Sequence, residues 1–199
     1  MTWDLTWPGA TSFAGIVLEG GDPARGVLVS PGAYRVRLNA FSASGVARSE
    51  AMLTVRRDPR LVSVTDADLR AQSELALRIR DAESAANEAV LDIRRRRDSW
   101  RAQHGAAVAD TSTFIRSISR IEAELYQVRN QSAKDKIAFP IKLNDRLTGL
   151  RAIVEAGEGR PTEAQYRVFR DLRGELDALL RGLRKLVGEQ RVVLDDGAE

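Results

Sequence analysis

Four consecutive arginines, Arg94–Arg97, form the densest run of charge in the chain. Such a run is typical either of a patch that binds a polyanion such as nucleic acid or of a solvated helix face. Four successive helical positions spread around the helix axis, and Asp92 and Asp98 interrupt the positive charge. We therefore interpret the run as a solvated face and do not expect nucleic acid as a partner. Polyanion binding is the alternative.

General acid–base and metal chemistry have few candidate residues here. His104 is the only histidine; it stands beside Gly105 at a predicted helix end, where a histidine caps carbonyl groups. The carboxylate pairs Glu122/Glu124 and Asp195/Asp196 lie on an amphipathic helix and in the polar C-terminal stretch. With no cysteine and one histidine, thiolate and zinc sites of the usual kinds are excluded. We predict no catalytic, cofactor-binding or metal residue, no cofactor, and no enzyme activity for this chain by itself.

Three aromatic residues near the N-terminus are candidates for ligand stacking. Trp3, Trp7 and Tyr34 have the side chains that stack on sugar rings. The same residues also fill small β cores, and this is the interpretation that we favour.

Composition limits the class of protein without choosing a function. The 199 residues carry 31 basic and 28 acidic side chains, a net charge of +3, and 43% are hydrophobic. No apolar run is long enough for a membrane span, and the N-terminal residues lack the pattern of a signal peptide, so we expect no membrane contact. The compartment stays undecided.

The first 60 residues have the pattern of β structure. Ser30-Pro31-Gly32 is a turn signal, and an alternating strand follows in which Tyr34, Val36 and Leu38 are predicted to face inward. Residues 51–55 alternate in the same way and predict the partner strand, with a connection at residues 42–45. The segment 3–7 is expected to add one more strand at most. Two or three strands cannot cover an apolar sheet face from both sides, so we expect an open β half that needs a partner.

From residue 66 onward the apolar period becomes helical. Thr65 or Asp66 caps a first helix that runs to about residue 103. A second helix starts at Asp110, Thr111 or Ser112 and extends toward a bend at residues 138–140. A third ends at Gly157 or Gly159, and a fourth starts with a capping box from Thr162 to Gln165.

The predicted apolar stripe of the second helix is Phe114, Ile118, Ile121, Leu125 and Val128. The predicted core contains Leu75, Ile79, Ile93, Ile118, Ile121, Leu125, Leu147, Leu172, Leu176 and Leu183.

The sequence therefore predicts an α+β protein. A partial immunoglobulin-like β segment (residues 1–60) precedes an antiparallel helical bundle (66–192), and a frayed tail (193–199) follows.

Four motifs resemble one known family, the C-terminal region of large bacterial proteins with a BNR-repeat, sortilin-like β-propeller, often labelled glycosyl hydrolase. Trp3–Ala10 resembles its WDLRYPGA segment, Pro31–Leu38 its PGTYxVRL, and Val55–Arg60 its VxxDPR. Residues 139–147 with Arg160-Pro161-Thr162 resemble its YPIKLNxxL…xPT signature. The sequence departs from the family at residues 17–19, where a tryptophan is expected.

The resemblance implies a non-catalytic accessory module. The propeller and the first strands of the immunoglobulin-like domain would precede Met1, or a partner chain would supply the missing strands. The parent would be an exported protein. No S-x-D-x-G-x-x-W propeller box occurs in the chain, so hydrolase activity, if the parent has it, would reside elsewhere.

Overall fold

A computed structural model describes residues 2–42, 45–105 and 112–196. The described chain is a mixed α+β structure with two antiparallel two-stranded sheets and four α-helices. In chain order its elements are β1 (Thr6–Trp7), β2 (Val27–Leu28), β3 (Gly32–Ser42), β4 (Gly45–Val55), α1 (Asp66–His104), α2 (Thr113–Leu125), a short 3-10 helix (Asp135–Ile137), α3 (Leu143–Ala156) and α4 (Glu163–Asp196).

The predicted helix starts are confirmed by their caps. Thr65 accepts the Asp68 amide, and the Asp68 carboxylate accepts the Thr65 amide, which completes a capping box at α1. Ser112 caps α2, while Asp110 and Thr111 lie outside the described residues. Thr162 and Gln165 form the expected reciprocal pair at α4. These bonds satisfy amides that have no partner inside their own helix.

One helix end differs from the prediction. Helix α2 ends at Leu125 and does not continue toward residue 138, and Val128, predicted in its apolar stripe, is exposed. Tyr126 has an extended backbone, and Gln127 donates to the Pro140 carbonyl, so residues 126–142 form a connection with its own contacts. At the other end of the chain, α4 continues past residue 192 to Asp196. Residues 197–199 of the predicted tail lie outside the described residues.

The hydrophobic core lies among the four helices, and each helix contacts the other three. Nine of the ten residues predicted from the periodicity are buried, and Ile121 is partly buried. Phe13 and Val27 from the N-terminal segment belong to the same core. At about 25 cal/mol per Å² of buried apolar surface, this core is the main source of stability.

The β structure forms two separate sheets. β3 pairs with β4 over their whole length, with Tyr34 opposite Leu53 and Ser42 opposite Gly45, which confirms the predicted hairpin. β1 pairs with β2 and not with the hairpin, so the segment 3–7 does not extend that sheet.

Candidate interaction surface

The hairpin β3–β4, which we name the arm, is surrounded by solvent along most of its length. Side chains from Arg35 to Phe41 and from Gly45 to Thr54 are exposed. The inward orientation predicted for Val36 and Leu38 is therefore wrong in this chain: they are 40% and 53% exposed. No other described element covers them. A two-stranded hairpin on its own is marginal in water, so its position in solvent requires an explanation.

The two faces of the arm differ in charge. Residues that lie directly opposite each other share a face, so the register assigns each side chain. The first face, which we name the apolar face, carries no charged residue; it comprises Tyr34, Val36, Leu38, Ala40, Ala47, Ser49, Ala51 and Leu53. The opposite face carries Arg35, Arg37, Arg48 and Glu50, and Arg37 pairs with Glu50 at 2.6 Å. The uncharged face can be buried against another protein surface without removing a charged group from water, whereas the opposite face, which also carries Phe41, Val46 and Met52, cannot.

Two tryptophans lie beside the apolar face at the base of the arm. The rings of Trp3 and Trp7 meet Tyr34 edge to face, with centroids 6.0 and 6.4 Å apart. The Tyr34 hydroxyl donates to the Ser30 carbonyl, and the Trp3 indole donates to the Thr6 carbonyl. Both tryptophans are about 40% exposed. The interpretation that Trp3 and Trp7 fill a β core is therefore wrong. Anchored and partly exposed aromatic side chains of this kind are typical of binding surfaces.

A cleft of about 840 Å³ separates the base of the arm from the helices. It is lined by residues 4–6, by β2, by the last residue of the arm and the three that follow it (55–58), by the first turns of α1 and by the end of α3. The charged side chains around it are of both signs: Arg25, Arg56 and Arg57 against Asp4, Asp22, Asp58, Glu155 and Glu158. The mixture does not select a ligand of one charge.

Residues 8–28, which we name the strap, lie across the helices in a largely irregular conformation. Side chains of α1 bind the first part of the strap: Ser84 accepts the Thr11 amide, and Asn87 donates to the Thr11 carbonyl. The Asp145 carboxylate of α3 accepts the amides of Glu19 and Gly20, at 3.0 and 2.6 Å. These polar side chains, of which Asn87 and Asp145 are buried and Ser84 is half-buried, satisfy backbone groups that no sheet or helix satisfies.

The middle of the strap is held by the connection after α2. The Tyr126 hydroxyl accepts the Val17 amide and donates to the Gly15 carbonyl, while Asn130 donates to the Val17 carbonyl.

A buried ion pair holds the last part of the strap. Arg151, 2% exposed, donates from Nε to Glu83 Oε1 at 2.9 Å and from its other nitrogens to the carbonyls of Asp22, Pro23 and Arg25. Glu83 is fully buried, and its Oε2 has no partner among the described residues. Burial raises the pKa of Glu83 to about 7, against the opposing attraction of Arg151. The sequence carries no signal that Glu83 would pair with Arg151, because Glu83 stands as a single acidic residue on an otherwise apolar helix face.

Two of the four arginines in the run Arg94–Arg97 form ion pairs with a buried carboxylate of α2. Arg94 and Arg97 both bind the carboxylate of Glu122, whose side chain is 3% exposed, at 2.7 and 2.8 Å. Arg95 and Arg96 pair with Asp92. The interpretation as a solvated face is therefore wrong for Arg94 and Arg97. Each of the four arginines has a carboxylate partner, which reduces the positive charge available to a polyanion.

The remaining candidates from the sequence lie apart from one another. His104 is exposed, its Nδ1 lies 3.1 Å from the Trp100 carbonyl, and its ring stacks on Trp100, as expected for a helix end. Glu124 is exposed and pairs with Lys142, so it does not form a dyad with buried Glu122. The side chains of Asp195 and Asp196 lie outside the described part. Within the described residues no group of acidic or histidine side chains is placed to hold a metal ion.

Comparison with known proteins gives no relative: no family model matches the chain, and no curated protein or solved structure matches it. In the described part of the chain, no helix has the length and apolarity needed to cross a membrane.

Proposed function

We propose that the chain is a non-catalytic scaffolding module that packs against β structure of a larger protein or of a partner chain through the apolar face of the arm. The observation that carries the proposal is the exposure of Val36 and Leu38 on a sheet face without charge. A monomeric domain seldom leaves such a face open, because it invites association. Trp3, Trp7 and Tyr34 supply aromatic anchors at its base.

The finer architecture is part of the same proposal. The arm corresponds to two strands of an immunoglobulin-like domain whose other strands cover the apolar face, and the four helices form an antiparallel bundle. Two sheets that pack face to face bury alternate residues of each strand, and the alternation of the arm meets this requirement. The resemblance to the C-terminal region of BNR-repeat, sortilin-like propeller proteins supports strands from upstream as the natural cover. The parent, on this proposal, is an exported bacterial protein.

There are two alternative functions. In the first, the parent protein is a glycoside hydrolase whose catalytic residues lie on its propeller. In the second, the chain binds polyanions through Arg94–Arg97, which predicts an affinity that falls steeply with salt. Turnover of aryl glycosides or peptides by the 199-residue chain, abolished by one substitution in it, would contradict the non-catalytic role. The pairing of all four arginines with carboxylates favours the scaffolding module over polyanion binding.

Amide hydrogen exchange of residues 34–38 tests the docking proposal. The measurement is made on the dilute 199-residue chain and on a longer chain that includes the coding sequence upstream of Met1. We expect fast exchange in the first and at least hundredfold slower exchange in the second, since covering strands would protect the arm. Leu38→Glu should abolish the added protection, while Asn39→Glu on the opposite face should preserve it. Strong protection in the dilute monomer would show that the arm is self-sufficient and overturn the proposal.

A further inference from the structure

The carboxylate of Glu83 is buried with only half of its hydrogen-bonding capacity used. One oxygen receives the Arg151 Nε, and the other has no partner among the described residues. A charged carboxylate in such a position is costly, because a single guanidinium replaces the water that solvated both oxygens. The protonated form is correspondingly favoured, and the pKa of about 7 follows from this burial.

The Arg151 guanidinium connects Glu83 to the strap. Its Nε binds the carboxylate, whereas Nη1 and Nη2 bind three strap carbonyls at 2.7 to 3.3 Å. The strap therefore covers the Arg151 guanidinium, and Arg151 in turn covers one oxygen of Glu83. If this part of the strap detached, water would reach Arg151 and, along its guanidinium, the Glu83 carboxylate.

Other charged groups around Glu83 also affect the equilibrium between its charged and protonated forms. Arg80 on α1 and Arg151 on α3 favour its charged form, and Glu155 on α3 disfavours it. The Oε2 of Glu155 lies 3.8 Å from Arg151, and burial raises its pKa as well. On the strap, Asp22 and Arg25 are exposed, and their carbonyls bind Arg151.

We propose that attachment of the strap to α3 is linked to proton uptake by Glu83, so that the strap is held more tightly in mild acid than at alkaline pH. This inference does not depend on the proposed docking function. In the attached state the carboxylate has a pKa of about 7, and in the detached, hydrated state its pKa returns toward 4.5. The contribution of Glu83 protonation to the free energy of attachment is therefore fully present below pH 4.5, and it is lost as the pH rises through 7.

The strap is in a position to pass this effect to the rest of the molecule. Its Asp22–Gly26 turn lines the cleft, and the chain continues from β2 into the arm at Gly32. A change in the attachment of the turn therefore alters the cleft and the base of the arm together. Glu83 acts here as a positioning residue, because it reaches the strap only through Arg151.

Hydrogen exchange of the full chain between pH 5.5 and 8.5 tests the linkage, after correction for intrinsic exchange rates. The amide of Ala10 is a suitable reporter, because it donates to the Pro23 carbonyl at 2.7 Å. We expect its opening equilibrium to rise roughly tenfold to hundredfold across this range. In Glu83→Gln the rise should disappear. In the control Glu88→Gln, which alters an exposed carboxylate bound to Thr11, it should remain.

Two outcomes would overturn the inference. One is an opening equilibrium that does not change with pH in the unmodified chain. The other is a rise that persists in Glu83→Gln; its disappearance in Glu155→Gln would then identify Glu155 as the proton acceptor. If Glu83→Gln does not fold, NMR titration of the Glu83 side-chain carboxyl in the unmodified chain decides the question: a pKa below 5 contradicts the linkage.

Discussion

Arg94 and Glu122 form an ion pair of 2.7 Å between α1 and α2, and the Glu122 side chain is 3% exposed. The Arg94 guanidinium also lies over the rings of Phe13 and Tyr126, at 4.7 and 5.5 Å from their centroids. One side chain thus joins two helices, the strap and the connection after α2. Arg97 completes the site by binding the second oxygen of the same carboxylate at 2.8 Å.

Glu122→Ala should lower the free energy of unfolding by about 3 kcal/mol, because it leaves two partly buried arginines without their counter-charge. Denaturant unfolding measures the loss. Glu124→Ala is the matched control: its carboxylate is exposed and pairs with Lys142 at 3.3 Å, so we expect at most about 1 kcal/mol. Equal effects from the two substitutions would contradict the structural role of the Arg94–Glu122 pair.

Leu176→Ala should cost about 2–5 kcal/mol, since this fully buried side chain lies in the core among the helices and its removal leaves a cavity. Thermal and denaturant unfolding report the change. Val62→Ala, at a side chain that is 90% exposed, should change stability by no more than about 0.5 kcal/mol. An unchanged melting transition in Leu176→Ala would show that the assigned core face of α4 is wrong.

Gly20→Ala should lower the stability of the chain, and Gly174→Ala should raise it. A Cβ at Gly20 would lie 2.5 Å from the Gly149 amide nitrogen and 2.6 Å from the Asp145 carbonyl oxygen, so the strap could not sit on α3 as it does. Gly174 lies inside α4 with open space around it, and alanine there should stabilise the chain by about 0.5–1 kcal/mol. Calorimetry distinguishes the two. A neutral Gly20→Ala would mean that the strap is not closely packed on α3.

Leu38→Glu should leave the stability of the dilute 199-residue chain within about 0.5 kcal/mol of its original value. Its side chain is already 53% exposed, so a charge there loses little hydration. The unfolding midpoint in denaturant checks this. A loss of several kcal/mol would indicate that the apolar face is covered in the isolated chain.

Asp68→Asn should make the start of α1 less sensitive to acid. Hydrogen bonds from Thr65 and then from Arg160 lower the pKa of Asp68 to about 2. A carboxylate with a lowered pKa contributes stability above its unfolded pKa, near 3.8, and loses that contribution as pH falls through 2. The amide chemical shifts of the first turn of α1, followed between pH 2 and 5, measure this loss. An equal pH response in both proteins would show that another group titrates there.

Local patterns in the sequence determined the starts of α1, α2 and α4 and the pairing of the arm, but not the end of α2. Thr65 with Asp68 and Thr162 with Gln165 are capping pairs three residues apart, and the leucines of α4 repeat at helical spacing, so each element depends on its own residues. The pairing of Tyr34 with Leu53 follows in the same way from two alternating strands around a short connection. Side chains within a few residues of one another decide these features, and they can be read without the tertiary structure.

Only the tertiary structure decided how the strap is held and where the arm lies. Asp145 accepts the Gly20 amide across 125 residues of sequence, and Arg151 binds the Asp22 carbonyl across 129. Neither contact leaves a periodic signal, because the strap has no regular pattern and its partners are isolated polar residues on apolar helix faces. Likewise the alternation of Val36 and Leu38 shows that they share a sheet face, but whether this face is covered depends on what packs against it.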